Sequence, residues 1–204
     1  MYCFSYIIVN PAAFLNSRNY GITNVQALLE GITGICPVYA VPGNHDYKNM
    51  ELFKYLTNLY DRYGVKFFLK GTIEFKKEES YIVFSGATFK PSSTTNFYHR
   101  IEHVPQEYRD DFVILMFHFG NGFNYIPDEY DLTLAGHMHG GNIRLFDKGI
   151  LNNTRRVLPK YSKGVYRKES GSVMVLSAGL GDSVLPRFNN PREIVMVTLN
   201  KTKL

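Results

Sequence analysis

The chain has 204 residues, of which 45% are hydrophobic and 20% charged, and this balance excludes a disordered or collagen-like protein. A formal net charge of +5 is carried by basic residues in runs no longer than two, which argues against a dedicated nucleic-acid module. The length suits one domain, assigned to residues 1–204. Two cysteines, Cys3 and Cys36, cannot form a disulfide framework, which predicts a reducing, cytoplasmic location.

From the amino terminus onward, the hydrophobic pattern alternates between strand and helix periodicity. Short apolar runs predict strands over residues 6–9 and 38–41, and helical spacing predicts helices over 25–33 and 50–63. The remainder is mostly extended, and further strands are predicted over residues 65–69, 71–76, 81–85, 112–117, 131–135, 142–146, 173–177 and 194–199. A few helices with so many strands predict a layered α/β architecture of two packed sheets flanked by helices.

Four of the six histidines directly follow predicted strands, and they are His45, His118, His137 and His139. Ligands in α/β sheets gather at the carboxyl ends of strands, so these side chains are candidates for one site. His99 and His103 fall in a polar stretch and are predicted to be surface residues.

The sequence Gly-Asn-His-Asp at residues 43–46 places several chemical groups in a tight turn. Asn44 offers an oxygen ligand for a cation, His45 a proton donor or oxyanion partner, and Asp46 a carboxylate that can orient the imidazole. The alternative is an ordinary turn, since Asn, Asp and Gly favour turns.

The sequence Gly-His-Met-His-Gly-Gly at residues 136–141 presents two imidazoles between glycines. Neutral imidazole is a common ligand of zinc, iron and manganese. Two surface histidines in a loop are the alternative, and the other strand-end histidines favour a metal site over it.

These motifs, in this order and separation, resemble those of the calcineurin-like metallophosphoesterase family across roughly residues 6–199. Residues 177–193 are similar to one branch, which contains membrane-associated phosphoesterases acting on lipid-linked sugar pyrophosphates. The resemblance implies a four-layer double β-sandwich flanked by helices. It also implies hydrolysis of a phosphomonoester, phosphodiester or pyrophosphate bond at a centre of two divalent metals, such as Mn²⁺, Fe²⁺ or Zn²⁺.

The resemblance also implies residue roles. Asn44, His118 and His137 would bind the second metal and His139 the first. His45 would stabilise or protonate the leaving group, with Asp46 behind it. Arg187 is a candidate phosphate or head-group contact, although a surface arginine is the commoner outcome. The implied partners are a phosphoester small molecule or a lipid-linked pyrophosphate, with peripheral membrane contact in the full-length form, and no nucleic acid.

The sequence departs from the family pattern near its start. The family's first strand carries Asp-x-His and a later Gly-Asp bridges both metals, but no Asp precedes Asp46, and Ala12-Ala13 stands where Gly-Asp is expected. We therefore expect one well-held metal and reduced hydrolysis, in a chain that is either incomplete at its amino terminus or a degenerate homologue binding phosphate ligands or a partner. A missing first strand would expose a sheet edge beside residues 6–9 and favour self-association.

Overall fold

A computed structural model of the chain describes residues 8–10, 22–67, 69–77, 80–87, 101–152, 156–181 and 185–200. Two α-helices occur in this part of the chain, α1 (Ile22–Ile32) and α2 (Met50–Arg62). The strands are β1 (Ile8–Asn10), β2 (Val38–Ala40), β3 (Lys66–Phe67), β4 (Gly71–Lys77), β5 (Ser80–Ala87), β6 (Val113–Phe119), β7 (Leu132–Gly136), β8 (Ile143–Leu145), β9 (Lys148–Leu151), β10 (Gly164–Arg167) and β11 (Val173–Leu176).

The strands form a smaller sheet, a larger sheet and a hairpin. The smaller sheet has the order β1-β2-β3 and is parallel. The larger sheet has the order β10-β11-β7-β6-β5-β4; its four inner strands are parallel, and β10 and β4 pair antiparallel at its edges. Strands β8 and β9 form the hairpin. The predicted mixed α/β class is confirmed.

Strand β2 connects the layers because its alternate side chains face opposite ways. Val38 and Ala40 belong to an apolar cluster with residues of both helices. Tyr39 belongs to a second cluster with residues of β5, β6 and β7, and its ring stacks on Phe84 at 4.9 Å between centroids. The smaller sheet is therefore buried between the helices and the larger sheet, as expected for a parallel sheet.

Residues recognisable in the sequence determine where helix α2 begins and ends. The Asn49 side chain accepts hydrogen bonds from the backbone N–H groups of Glu51 and Leu52 at 3.0 and 3.1 Å, which satisfies two donors of the first turn. Gly64 follows the last turn with a φ of 67°, a conformation that glycine adopts without steric cost. These ends fix α2 between β2 and β3, which the helix connects.

Helices were predicted to flank both sheets, but loops and a 3-10 helix cover the other face of the larger sheet. Its apolar cluster includes Val104, Phe123, Ile126 and Tyr130, which lie in loops and in the 3-10 helix Gly120–Tyr125. Within the described ranges, both α-helices pack against the smaller sheet. The four-layer arrangement and the single domain over residues 1–204 stay predictions.

Two predicted strands need correction. His118 was predicted to follow its strand, but it lies within β6, which extends to Phe119. Residues 194–199 were predicted as a strand, but they have no regular structure and their apolar side chains are exposed. The predicted strand over residues 6–9 overlaps β1, and its first two residues lie outside the described part, as do Cys3, Ala12, Ala13 and His99. None of the described helices is long and apolar enough to cross a membrane.

Candidate metal centre

Three predicted ligands meet where the two sheets adjoin. Nε2 of His118 lies 2.9 Å from Oδ1 of Asn44 and 3.1 Å from Nδ1 of His137. Asn44 follows β2 of the smaller sheet, whereas His118 and His137 come from β6 and β7 of the larger one. The site is thus built from the carboxyl ends of strands in both sheets, where ligand sites of α/β proteins gather.

A local irregularity positions His118. The pairing of β6 with β7 shifts register between Met116 and Phe119, so His118 lies in a β-bulge. Bulges redirect side chains relative to the regular pleat and are common beside functional sites. The His118 side chain is buried, and its ring meets that of His137 at 4.9 Å between centroids in an edge-to-face arrangement.

The His137 imidazole is held neutral. Burial, and to a smaller extent the neighbouring imidazoles of His118, His139 and His45, lower the pKa of His137 to about 3. A neutral imidazole keeps a lone pair available across the physiological pH range. This is the protonation state in which histidine binds metals.

The loop that carries His137 and His139 has an unusual backbone. Both histidines have positive φ, 72° and 47°, a region that non-glycine residues enter at a cost of about 1–2 kcal/mol each. Gly140 and Gly141 follow with φ of 70° and 77°. Strained conformations of this kind persist where the surrounding structure fixes them, and they cluster at functional sites.

Gly140 is required by space as well as by conformation. A Cβ atom at this position would lie 2.4 Å from Oδ1 of Asn190 and 2.9 Å from Cβ of Ala178. The loop therefore packs closely against the carboxyl-terminal part of the chain, which supplies Ala178 and Asn190.

Asn190 and Arg144 hold this loop from behind, and sequence reasoning missed both. The buried Asn190 donates from Nδ2 to the carbonyl oxygen of His139 at 2.6 Å. The buried Arg144 donates from Nη1 to the carbonyl oxygen of Gly140 at 2.6 Å and to Oγ of Ser162 at 3.2 Å. The one available signal for Arg144 was its position, four residues after Gly140 in an otherwise apolar strand.

His139 turns toward the same carboxyl-terminal segment. Its Nδ1 lies 3.3 Å from the carbonyl oxygen of Gly181. Arg187 donates from Nη2 to the carbonyl oxygens of Ala178, Gly179 and Gly181, the first at 2.7 Å. Arg187 thus fixes the segment that faces His139, and its predicted contact with a phosphate or head group stays a prediction.

The turn after β2 presents His45. The buried Asp46 accepts a hydrogen bond at Oδ2 from the backbone N–H of Gly43 at 2.7 Å, which closes the turn. His45 lies close enough to His137 to influence its pKa. The structure thus brings His45 to the cluster and places Asp46 beneath the turn. The remaining surface histidine of the described chain, His103, is exposed, with Nδ1 2.8 Å from Oε1 of Glu129.

The donor set of Asn44, His118 and His137 fits a divalent cation. Nε2 of His118 lies within 2.9 Å of the Asn44 amide oxygen and 3.1 Å of Nδ1 of His137, so these residues could together hold one ion. Imidazole nitrogen and amide oxygen suit Mn²⁺, Fe²⁺ and Zn²⁺.

Across the described ranges, no group of three or more His, Cys, Asp or Glu side chains is arranged to hold a metal. This is compatible with the cluster above, because one of its three members is an amide.

Comparison with known proteins identifies the family to which the chain is similar. The family model described as calcineurin-like phosphoesterase matches residues 16–141, which include Asn44, His118, His137 and His139. No curated protein matches the chain.

Proposed function

The chain belongs to the calcineurin-like phosphoesterase family, and on this premise we propose that it hydrolyses a phosphomonoester, phosphodiester or pyrophosphate bond with a divalent metal. The observation that carries the proposal is the convergence of Asn44, His118 and His137 at 2.9 and 3.1 Å. Three separate chain segments bring these polar atoms together, and a purely structural role does not readily explain that arrangement.

Asn44, His118 and His137 would hold the metal, and Mn²⁺, Fe²⁺ and Zn²⁺ are the candidates. When bound, the cation polarises the phosphoryl oxygens and makes the attacking water more acidic. The protein's part is to keep the His137 imidazole neutral and to orient both imidazoles. Burial of His137 and the bulge at His118 serve that purpose.

His45 is the proposed proton donor to the leaving oxygen. It lies in the turn closed by Asp46 and Gly43, beside the imidazole cluster. An imidazole at this position can pass a proton to the departing oxygen as the phosphorus–oxygen bond breaks. Asp46 would position His45 indirectly, because its hydrogen bond with the N–H of Gly43 closes the turn that carries His45.

A lipid-linked pyrophosphate is the proposed substrate. Residues 177–193 carry the resemblance to the lipid-pyrophosphate branch, and Gly181 of this segment lies beside His139. The leaving portion of a substrate bound at the cluster would meet this segment. Arg187, which fixes the segment, is the candidate for neutralising a second phosphate.

The test compares two histidine variants on an aryl phosphodiester with Mn²⁺. His137→Ala removes a proposed ligand, whereas His103→Ala removes an exposed imidazole outside the cluster. We expect turnover in the wild type and in His103→Ala, and a loss of at least about a hundredfold in His137→Ala, in line with the loss of a group that positions the reaction. Equal turnover in both variants would contradict the proposal.

A second candidate function is phosphate binding without efficient turnover. It is favoured by the finding that, within the described residues, no group of three or more His, Cys, Asp or Glu side chains is arranged to hold a metal. It predicts that the wild type binds Mn²⁺ and inorganic phosphate in calorimetry and hydrolyses nothing, with His137→Ala losing the Mn²⁺ signal. Turnover that depends on His137 would exclude this candidate.

A further inference from the structure

Phe119, the last residue of β6, packs against two of the proposed metal ligands. Its ring centroid lies 4.9 Å from that of His118 and 4.6 Å from that of His137. The two imidazole centroids are themselves 4.9 Å apart, so each of the three rings contacts the other two. Phe119 is only 5% exposed. Its ring is therefore enclosed by the fold and offers almost no surface to a substrate.

The β-bulge in β6 accounts for the contact between Phe119 and His118. Successive side chains of a regular strand point to opposite faces of the sheet. The register of β6 against β7 shifts between Met116 and Phe119. Within this irregularity, the rings of two successive residues meet at an interplanar angle of 79°. The bulge thus brings the side chains of His118 and Phe119 to the same site.

A glycine in the neighbouring strand leaves room for the contact between Phe119 and His137. Phe119 pairs in register with Gly136 of β7. The Cβ atoms of two directly opposed residues lie about 4.5–5.5 Å apart, but Gly136 has no side chain to occupy that space. His137 follows Gly136, and its ring meets the Phe119 ring at an interplanar angle of 54°. Glycine within a strand often marks such a close approach of another group.

The backbone beside Phe119 has little room to move. A Cβ atom on the next residue, Gly120, would lie 2.4 Å from Cδ1 of Leu176 and 3.3 Å from Cβ of Ala135. The Phe119 ring itself belongs to the large apolar cluster of the larger sheet, where its centroid lies 5.8 Å from that of Phe117. Since such interiors are close-packed, Phe119 is a fixed support for the groups that touch it.

Burial in an apolar cluster does not by itself require a phenyl ring at this position. An aliphatic side chain of similar volume fills an apolar space with little loss. A phenyl ring differs in being flat and in its charge distribution, which is negative on the faces and positive at the edge. Pairs of such rings prefer particular orientations at separations of about 4.5–7 Å. Phe119 therefore favours one orientation of each imidazole that it contacts.

We propose that Phe119 is a positioning residue of the metal centre. Its ring holds the imidazoles of His118 and His137 in the orientation in which Nε2 and Nδ1 face each other at 3.1 Å. Ordering a side chain when a ligand binds lowers affinity, and Phe119 completes this ordering before the metal arrives. The inference rests on the proposed function, because it takes both histidines as metal ligands.

The test is the Mn²⁺ affinity of the full chain, measured by calorimetry in the wild type, Phe119→Leu and Phe119→Met. Both substitutions keep an apolar side chain at this position but remove the flat ring. We expect a dissociation constant about tenfold higher in each variant, which is within the range found for residues that support metal ligands. If one variant does not fold, the other supplies the measurement.

Phe84→Leu is the matched control. Phe84 lies in the neighbouring strand β5, is 2% exposed, and stacks on Tyr39 in the apolar cluster between the two sheets. The control should lower the melting temperature about as much as Phe119→Leu, because both remove a buried phenyl ring. It should leave the dissociation constant of Mn²⁺ unchanged. The comparison separates positioning of the ligands from a general loss of packing.

A titration of aryl phosphodiester turnover with Mn²⁺ gives a second readout. In Phe119→Leu, the Mn²⁺ concentration that gives half of the maximal turnover should rise about tenfold, and it should not change in Phe84→Leu. Damage to the fold alone would lower turnover at every Mn²⁺ concentration. Calorimetry does not depend on turnover, so it tests the inference even in a protein that binds Mn²⁺ without hydrolysis.

The outcomes distinguish this inference from the proposed function. Wild-type protein that binds no Mn²⁺ would overturn both, because Phe119 would have no metal ligands to position. Wild-type binding that is retained in full by Phe119→Leu and Phe119→Met would overturn the inference and leave the proposed function standing. An equal loss of affinity in Phe84→Leu would also overturn the inference, because any loss of packing would then weaken the centre.

Discussion

Oδ1 of Asn44 and Nε2 of His118 lie 2.9 Å apart, although 74 positions separate the two residues in the chain. Asn44 follows a strand of the smaller sheet, and His118 lies in the larger sheet. Correct packing of one sheet on the other is therefore a condition for the site.

Metal binding should stabilise the fold through this contact. A ligand at about a hundred times its dissociation constant adds about 2.7 kcal/mol, which for a chain of this size raises the melting temperature by about 5–10 °C. We expect this rise with Mn²⁺ in the wild type, reversal by a chelator, and no rise in His118→Ala. Thermal unfolding followed by circular dichroism measures it, and a full rise in His118→Ala would show that the ion binds elsewhere.

Asn190→Ala should weaken both the fold and the metal site. It removes the buried donor to the carbonyl oxygen of His139, at a cost of about 1–3 kcal/mol in unfolding free energy. Residues that orient ligands from behind change metal affinity by about 10–100-fold. Urea unfolding and Mn²⁺ calorimetry provide the two readouts. The control, Asn58→Ala on the exposed side of α2, should change neither by more than a small amount.

Gly140→Ala should be strongly destabilising. The added Cβ would approach Oδ1 of Asn190 to 2.4 Å, at a φ of 70° that alanine disfavours. We expect a loss of about 2–4 kcal/mol in unfolding free energy. Gly31→Ala is the matched control, because a Cβ in this turn of α1 meets nothing within 4 Å. The control should gain up to about 1 kcal/mol, and an equal loss in both variants would contradict the packing described for Gly140.

The buried Tyr130 should make stability fall in alkali. Burial raises the pKa of Tyr130 above its ordinary value of 10.0. The folded chain then keeps a proton that the unfolded chain releases, so the contribution is complete below pH 10 and is lost as the pH rises above it. Tyr130→Phe should be less stable at neutral pH, since the hydroxyl donates to the carbonyl oxygen of Glu102 at 2.7 Å.

The measurement for Tyr130 is the free energy of urea unfolding at pH 8 and at pH 11. Other tyrosines titrate in both proteins, so the informative quantity is the difference between wild type and Tyr130→Phe. This difference should shrink at pH 11. A difference that stays constant would show that Tyr130 ionises alike in the folded and unfolded chains.

Local sequence signals predicted most of the elements. The strand β6 was predicted from an unbroken apolar run, and α2 from its helical spacing and from Gly64 as its end. Residues 194–199 carry the same kind of β-branched pattern, but in the structure they pair with no strand of the described chain. A strand forms only when a neighbour accepts its hydrogen bonds, and sequence pattern alone does not supply the neighbour.

The approach of Asn44, His118 and His137 to one another could be predicted, because polar residues at the ends of apolar runs stand out in the sequence, and their role as metal ligands stays a prediction. The residues that hold them could not be predicted. Asn190 and Arg144 bind backbone carbonyl oxygens of His139 and Gly140. Every residue has such an oxygen, so the sequence does not show which one a distant side chain will bind. The positive φ of His137 could not be predicted either, because such a conformation is uncommon for any residue other than glycine, even for histidine, which is enriched there.

The contact between Asn44 and His118 also constrains the order in which this protein can mature. Closing a segment of 74 residues costs chain entropy that only the finished sheet-to-sheet interface can offset. Helix α2 and the hairpin β4–β5 rest on local contacts and can form early, whereas the ligand cluster is among the last features to exist. During synthesis, the chain would therefore pass most of its folding time unable to capture a metal ion at this centre.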